Sequence, residues 1–240
     1  MNAAAAEPLV LAIDADTTVS ALLDAPSGAR AAFVLAHGAG AGMRHPFLTN
    51  LAAALAARGI ACLRYQFPSM ERGARRPDAP AVAHAAVRAA VAAAAGRLPG
   101  LPLFAGGKSF GGRMTSQAQA AAPLAGVRGL AFLGFPLHPP GQPGDARAEH
   151  LAQVGVPMLF LQGTRDALAD PALLRAVVDR LGTRATLCPF EAADHSFHVP
   201  TRSGRKDAEV LEAIVDALVH WIDAQSSRPA NAAAVGAPTD

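Results

Sequence analysis

Short runs rich in Leu, Val, Ile and Phe alternate along the chain with longer stretches in which apolar residues recur every three or four positions. The short runs are Pro8 to Ile13, Val19 to Leu23, Ala31 to Ala36, Ile60 to Tyr65, Leu101 to Ala105, Gly129 to Leu133, Pro157 to Gln162 and Ala185 to Pro189, and they predict strands. The longer stretches predict helices over Pro46 to Ala57, Asp78 to Gly96, Ser109 to Ala121, Ala146 to Val154, Pro171 to Leu181 and Lys206 to Asp223. The last is the clearest, with Leu211, Ile214, Val215, Leu218 and Ile222 on one stripe. From the third strand onward strands and helices alternate, which predicts a mostly parallel sheet covered on both faces. The two leading strands have no helix between them and predict an antiparallel start.

Composition narrows this to one globular unit. The chain has 240 residues, 51% of them apolar and 17% charged, a balance that argues against disorder over most of its length. Much of the apolar share is Ala and only 5% is aromatic, so the core has to come from Leu, Val, Ile and Phe. With 21 basic against 19 acidic residues there is no one-sign field, and nucleic acid is not an expected partner. The run Ala79 to Ala95 is interrupted by His84 and Arg88 and is mostly Ala, too weak for a membrane span of ~20 strongly apolar residues. Met1 to Ala6 carries no Lys or Arg and the first basic residue is Arg30, so a secretory signal is not expected and the cytoplasm is. Cys62 and Cys188 are far apart, lack metal-type spacing, and read as thiols of a reduced compartment. Residues 1–225 read as one domain, and Ser226 to Asp240, rich in Ala and Pro without apolar period, as a disordered extension.

The sharpest local signal is Gly107-Lys108-Ser109-Phe110-Gly111, an apolar strand running into a helix through G-x-S-x-G. Small residues two positions either side of a serine permit the tight turn that holds its hydroxyl above a sheet. The bland alternative is a helix capped by Ser109. Gly107-Lys108-Ser109 also imitates the end of a phosphate-binding loop, but the earlier glycine that loop requires would stand where Pro102 is, so no nucleotide is implied. A serine needs a base and the base an orienting acid, in the order Ser, Asp/Glu, His on an α/β-hydrolase sheet. Asp166 follows the strand ending at Gln162, and His195 follows the strand ending at Pro189. Asp170 precedes Pro171 at a helix start and reads as an N-cap, while His198 is the understudy to His195. The glycine-dense turn from His37 to Gly42 is the place for oxyanion donors, with the Ala39 and Phe110 N–H groups as the pair. This chemistry needs neither metal nor cofactor. Arg72, Arg75 and Arg76 follow the strand ending at Tyr65 and stand near the mouth. They read either as a solvated loop paired with Glu71 and Asp78 or as a clamp for an anionic substrate.

Five segments carry a narrower resemblance: His37-Gly38-Ala39-Gly40-Ala41-Gly42 with His45-Pro46-Phe47; Phe67 to Gly73; Gly106 to Met114; Phe135 to Pro140; and Asp194-His195-Ser196-Phe197. In order, they resemble the α/β-hydrolase family that contains testis-expressed protein thirty and a domain of a chromatin-complex subunit. That family is similar to dienelactone hydrolases, which use Cys where this chain has Ser109. The resemblance implies an α/β-hydrolase fold and a Ser-Asp-His triad acting on a small ester, thioester or lactone. Some relatives act in protein complexes, so a non-catalytic scaffold with a protein partner is the rival expectation. Hydrolases with large lids usually insert them after the strand that here ends near Phe135, and this chain offers only Pro136 to Asp145 there, so an open site is expected.

Overall fold

The two leading strands, β1 (Glu7–Ala12) and β2 (Thr18–Asp24), form an antiparallel hairpin whose turn is closed by the Asp14 carboxylate accepting from the Asp16 and Thr17 N–H groups. After β3 (Ala31–Ala36), each crossover to the next strand is helical or nearly so: α1 (Pro46–Ala57), β4 (Ile60–Tyr65), α2 (Pro68–Glu71), α3 (Pro80–Arg97), β5 (Leu103–Lys108), α4 (Phe110–Ala121), β6 (Val127–Leu133), β7 (Met158–Gly163), α5 (Pro171–Leu181), β8 (Ala185–Phe190) and α6 (Asp207–Ser226). The computed structural model describes residues 6–74 and 76–227. Arg75 and residues 228–240, most of the extension expected from Ser226 to Asp240, lie outside them.

The sheet order is β1-β2-β4-β3-β5-β6-β7-β8, antiparallel from β1 to β4 and parallel from β3 onward. This is the α/β-hydrolase arrangement, with no large lid insertion between β6 and β7. Successive side chains of β3 serve opposite faces: Ala31, Phe33 and Leu35 join one core, Ala32, Val34 and Ala36 the other. The first core is closed by α1 and α6, the second by α3, α4 and α5. The α6 stripe is Val210, Ile214, Val215, Leu218, Trp221 and Ile222, and at about 1.5–3 kcal/mol per buried large apolar side chain it is a main anchor of its face. Leu211, expected on the stripe, is only partly buried against it.

Three differences from expectation have physical reasons. The strand expected to stop at Ala105 continues to Lys108, because Gly106 and Gly107 pair with β3 and β6 at once. The helix expected over Ala146 to Val154 is a 3-10 helix, Ala146–Gln153, whose buried residues Ala148 and Leu151 stand three apart, the spacing that aligns on a three-residue turn. The four-residue α2 was not foreseen. It starts at Pro68, directly after Phe67, and turns the chain at the carboxyl end of β4.

Candidate active site

Ser109 sits between the end of β5 and the start of α4 with φ 51° and ψ −115°, a conformation a non-glycine residue keeps only when its surroundings fix it. The neighbouring glycines make the turn possible. A Cβ at Gly107 would lie 2.3 Å from the Ala36 carbonyl oxygen, and one at Gly111 2.5 Å from that of His37. The Ser109 side chain does not cap α4. Its Oγ lies 2.8 Å from Nε2 of His195, in the loop after β8.

His195 Nδ1 is 2.7 Å from Oδ2 of Asp166, in the loop after β7. The Asp166 side chain is fully buried. It also accepts from Gln162 Nε2 at 2.5 Å and from the Leu168 N–H at 2.8 Å. A carboxylate so supplied with donors takes the proton of Nδ1 as a third, which leaves Nε2 of the imidazole to accept from the Ser109 hydroxyl. Gln162 is itself fixed, since its Oε1 accepts from the Phe135 N–H. The rival residues are engaged elsewhere: the Asp170 carboxylate accepts from the Ala172 and Leu173 N–H groups as the N-cap of α5, and His198 pairs with Asp207 on the surface.

The glycine-dense turn after β3 is held by its first residue. His37 is buried, and its Nε2 accepts from the Phe67 N–H at 3.0 Å. An N–H group can only donate, so the ring proton is on Nδ1, which donates to the Gly38 carbonyl at 2.7 Å. Burial lowers the His37 pKa below the usual histidine range, against the opposing pull of the Gly38 carbonyl and Asp78. Because the peptide is planar and trans, fixing the Gly38 C=O also fixes the Ala39 N–H, pointing the opposite way. Among the described residues neither the Ala39 nor the Phe110 amide donates to a protein acceptor. Phe110 is the first residue of α4, where a helix has no internal acceptor for it.

These groups border a cleft of about 210 Å³ lined by Ala39, Phe47, Leu48, Lys108, Ser109 and His195 among others. A narrow pocket of about 10 Å³ lies beyond the Ala39 and Phe110 backbone and is lined also by Ser69, Met70 and Arg76. Of the three arginines expected near the mouth, Arg76 reaches this pocket and Arg75 is outside the described residues. Arg72 is bound to Asp78 at 3.2 Å. Among the described residues Glu71 pairs with neither Arg72 nor Arg76; its carboxylate accepts from the Ser20 N–H and hydroxyl on β2. Gln162 and His37 were not singled out by role. The signal for the first was a polar residue closing an otherwise apolar buried strand, and for the second a histidine placed between a buried strand and a glycine run.

A family model described as an alpha/beta hydrolase domain matches residues 29–223. The chain belongs to that family. As an alpha/beta hydrolase domain it is similar in fold to dienelactone hydrolase from Anabaena variabilis, at 20% identity and a TM-score of 0.73, with 91% of this chain and 97% of that one covered. It is likewise similar to an α/β serine hydrolase without lid from Xanthomonas campestris, at 22% identity and a TM-score of 0.70, covering 92% and 97%. A third likeness is to Est1E from Butyrivibrio proteoclasticus, at 15% identity and a TM-score of 0.71, covering 94% and 100%. At these identities the likeness to solved structures is one of fold. Among the described residues no helix of this hydrolase domain is long and apolar enough to cross a membrane.

Proposed function

We propose that the chain is a serine hydrolase that transfers the acyl group of a small ester, thioester or lactone to water. The observation that carries this reading is the unbroken hydrogen-bonded line from Ser109 through His195 to Asp166 at the edge of the cleft. Ser109 Oγ attacks the substrate carbonyl while His195 Nε2 takes its proton. The oxyanion that forms is received by the Ala39 and Phe110 N–H groups. Collapse breaks the bond to the leaving group, which receives the proton from His195. Water then repeats the sequence on the acyl-Ser109 ester, and Asp166 stabilises the charged imidazole in both halves. No step needs a cofactor.

A cleft of about 210 Å³ suits a small acyl group. The position of Arg76 at the narrow pocket supports an anionic group on the substrate. Arg72, exposed and paired with Asp78, and Arg75 remain part of the proposed clamp from the sequence alone. The free thiols of Cys62 and Cys188 suit a reducing compartment, and we place the enzyme in the cytoplasm. The narrower kinship with the family of testis-expressed protein thirty belongs to the same reading and rests on the five segments quoted above. The rival, a non-catalytic scaffold for a protein partner, predicts no turnover. The deciding experiment is turnover of an ester panel of graded acyl length and charge by wild-type, Ser109→Ala and Arg76→Ala proteins, with fluorophosphonate labelling. Loss of both turnover and labelling in Ser109→Ala is expected, with a raised KM for acidic esters alone in Arg76→Ala. Absence of labelling in the wild type would favour the scaffold.

A further inference from the structure

Lys108 closes β5 and directly precedes Ser109, yet its side chain turns into the cleft. Its Nζ donates a hydrogen bond to the main-chain carbonyl of His195 and stands 5.5 Å from the centre of the Phe197 ring. A Cβ at Gly134 would lie 3.0 Å from this Nζ and 3.4 Å from His195 Nδ1, so the ammonium, the imidazole and the backbone after β6 share one corner. Among the described residues no other group is hydrogen-bonded to the His195 carbonyl.

The loop that carries His195 needs such a tie. Ala192 has φ 61° and Phe197 φ 65°, both in the left-handed region, which non-glycine residues hold only when contacts over-determine the backbone. On one side the loop is fixed by Ala192 N–H donating to Thr164 and by Arg165 N–H donating to the Ala193 carbonyl. On the other side the Asp194 carboxylate accepts from the Ser196 and His198 N–H groups. At the His195 main chain the tie is Lys108. We propose that Lys108 is a positioning residue for His195: its ammonium, bonded to the His195 carbonyl, holds the base in register with the serine that follows Lys108 in the chain. One side chain thereby links the nucleophile's strand to the base's loop.

The proposal rests on the serine-hydrolase reading and adds a pH consequence. Burial lowers the Lys108 pKa to about 8, against the opposing pull of Asp166 and Asp194. Above that pH the bond to the carbonyl loses its charge assistance and weakens, so kcat falls on the alkaline side. The titratable groups facing the ammonium are Asp166 from the loop after β7 and Asp194 and His195 from the loop after β8; His45, after β3, lines the same cleft, and Gly134 after β6 brings none.

The test is steady-state turnover of p-nitrophenyl acetate between about pH 6 and 10 by wild type, Lys108→Met, Ser109→Ala, and Lys108→Cys before and after aminoethylation with 2-bromoethylamine. Wild type treated with the same reagent controls for Cys188. The wild type should show an alkaline limb near pH 8. In Lys108→Met, kcat should fall roughly 10- to 100-fold, the cost of a small misplacement of a reacting group, with KM nearly unchanged and the limb gone. Aminoethylation, which restores an amine of the same length, should recover much of kcat and bring the limb back. This arm decides the matter also if Lys108→Met fails to fold. An unchanged kcat and pH profile in Lys108→Met, an effect confined to KM, a wild type with no limb near 8, or no recovery on aminoethylation would overturn the role. Turnover that survives Ser109→Ala would overturn the hydrolase reading instead, whatever Lys108 does.

Discussion

Gln162 donates its side-chain amide to Asp166 four residues further along the chain, across the turn that ends β7, and the two side chains are buried together. Asp166 therefore meets His195 already held by Gln162 and by the Leu168 N–H. Asp166→Asn should lower kcat by up to ~10⁴-fold, because an amide in that place favours the wrong imidazole tautomer. Gln162→Met should lower it by a smaller factor and also destabilise the fold by about 1–3 kcal/mol, since the buried Phe135 N–H loses its acceptor. Asp170→Asn should change neither, as Asn caps a helix about as well as Asp. Steady-state kinetics and denaturant titration of the three variants check the ranking, and inactivation by Asp170→Asn would reverse the assignment of the acid.

His37 is the corresponding device on the other side of the serine. His37→Leu removes the bond to the Gly38 carbonyl and leaves the Phe67 N–H without its acceptor. The Gly38 carbonyl then keeps only the bond from the Ala41 N–H, and the Ala39 N–H is held less firmly. Loss of one oxyanion donor costs ~10² to 10³ in kcat, so a fall of that order with little change in KM is expected. A fall confined to KM would show that the turn binds substrate without serving the oxyanion.

Two helical glycines give a matched pair. Gly111 in α4 packs so closely on β3 that a Cβ would lie 2.5 Å from the His37 carbonyl oxygen, whereas Gly96 in α3 has open space. Gly111→Ala should destabilise the protein by about 1–3 kcal/mol and reduce turnover by shifting the oxyanion turn. Gly96→Ala should stabilise by about 0.5–1 kcal/mol, the ordinary helical preference for Ala, with activity unchanged. Equal effects at the two positions in thermal unfolding would contradict the close packing at Gly111.

Much of this arrangement was readable in the chain because each reacting group follows an apolar strand in the order the fold requires. Ser109, Asp166 and His195 come from the ends of β5 and β7 and from beyond β8, and a parallel sheet gathers those ends at one edge. The α6 stripe was legible for a similar reason, since periodicity is local. What could not be read were partners set by tertiary contact. Glu71 has arginines as its neighbours in the chain but bonds to Ser20, 51 residues away. Lys108 fills the variable position of G-x-S-x-G, and its tie to His195 spans 87 residues. Gly106 and Gly107 look like strand breakers and are strand residues because both flanking strands crowd them.

Acid stability away from the site depends on His150. His150 is half-buried between the 3-10 helix and α4, with Nε2 2.7 Å from the Ser116 hydroxyl. That hydroxyl donates to the Arg113 carbonyl, so it accepts from a neutral imidazole carrying its proton on Nε2. Burial lowers the His150 pKa to about 4, and the charges of Arg113 and His84 add to the shift. The sign follows from linkage. Above the unfolded-state value of ~6.5 both states are neutral and His150 contributes no pH dependence. As pH falls from there toward about 4 the unfolded chain binds a proton that the folded one refuses, and stability is lost progressively over that window. Solvent at the half-exposed ring reduces the size of the effect but not its direction. His37 and His84 are shifted downward as well, mainly by burial, and act in the same sense. His150→Gln keeps a donor to Ser116 and removes the titration. The unfolding free energy of that variant, measured by denaturant titration at several pH values, should fall less steeply between pH 6.5 and 4 than that of the wild type, with a residual slope from His37 and His84. Parallel slopes for the two proteins would mean that the buried imidazole at 150 takes up its proton without opening the fold.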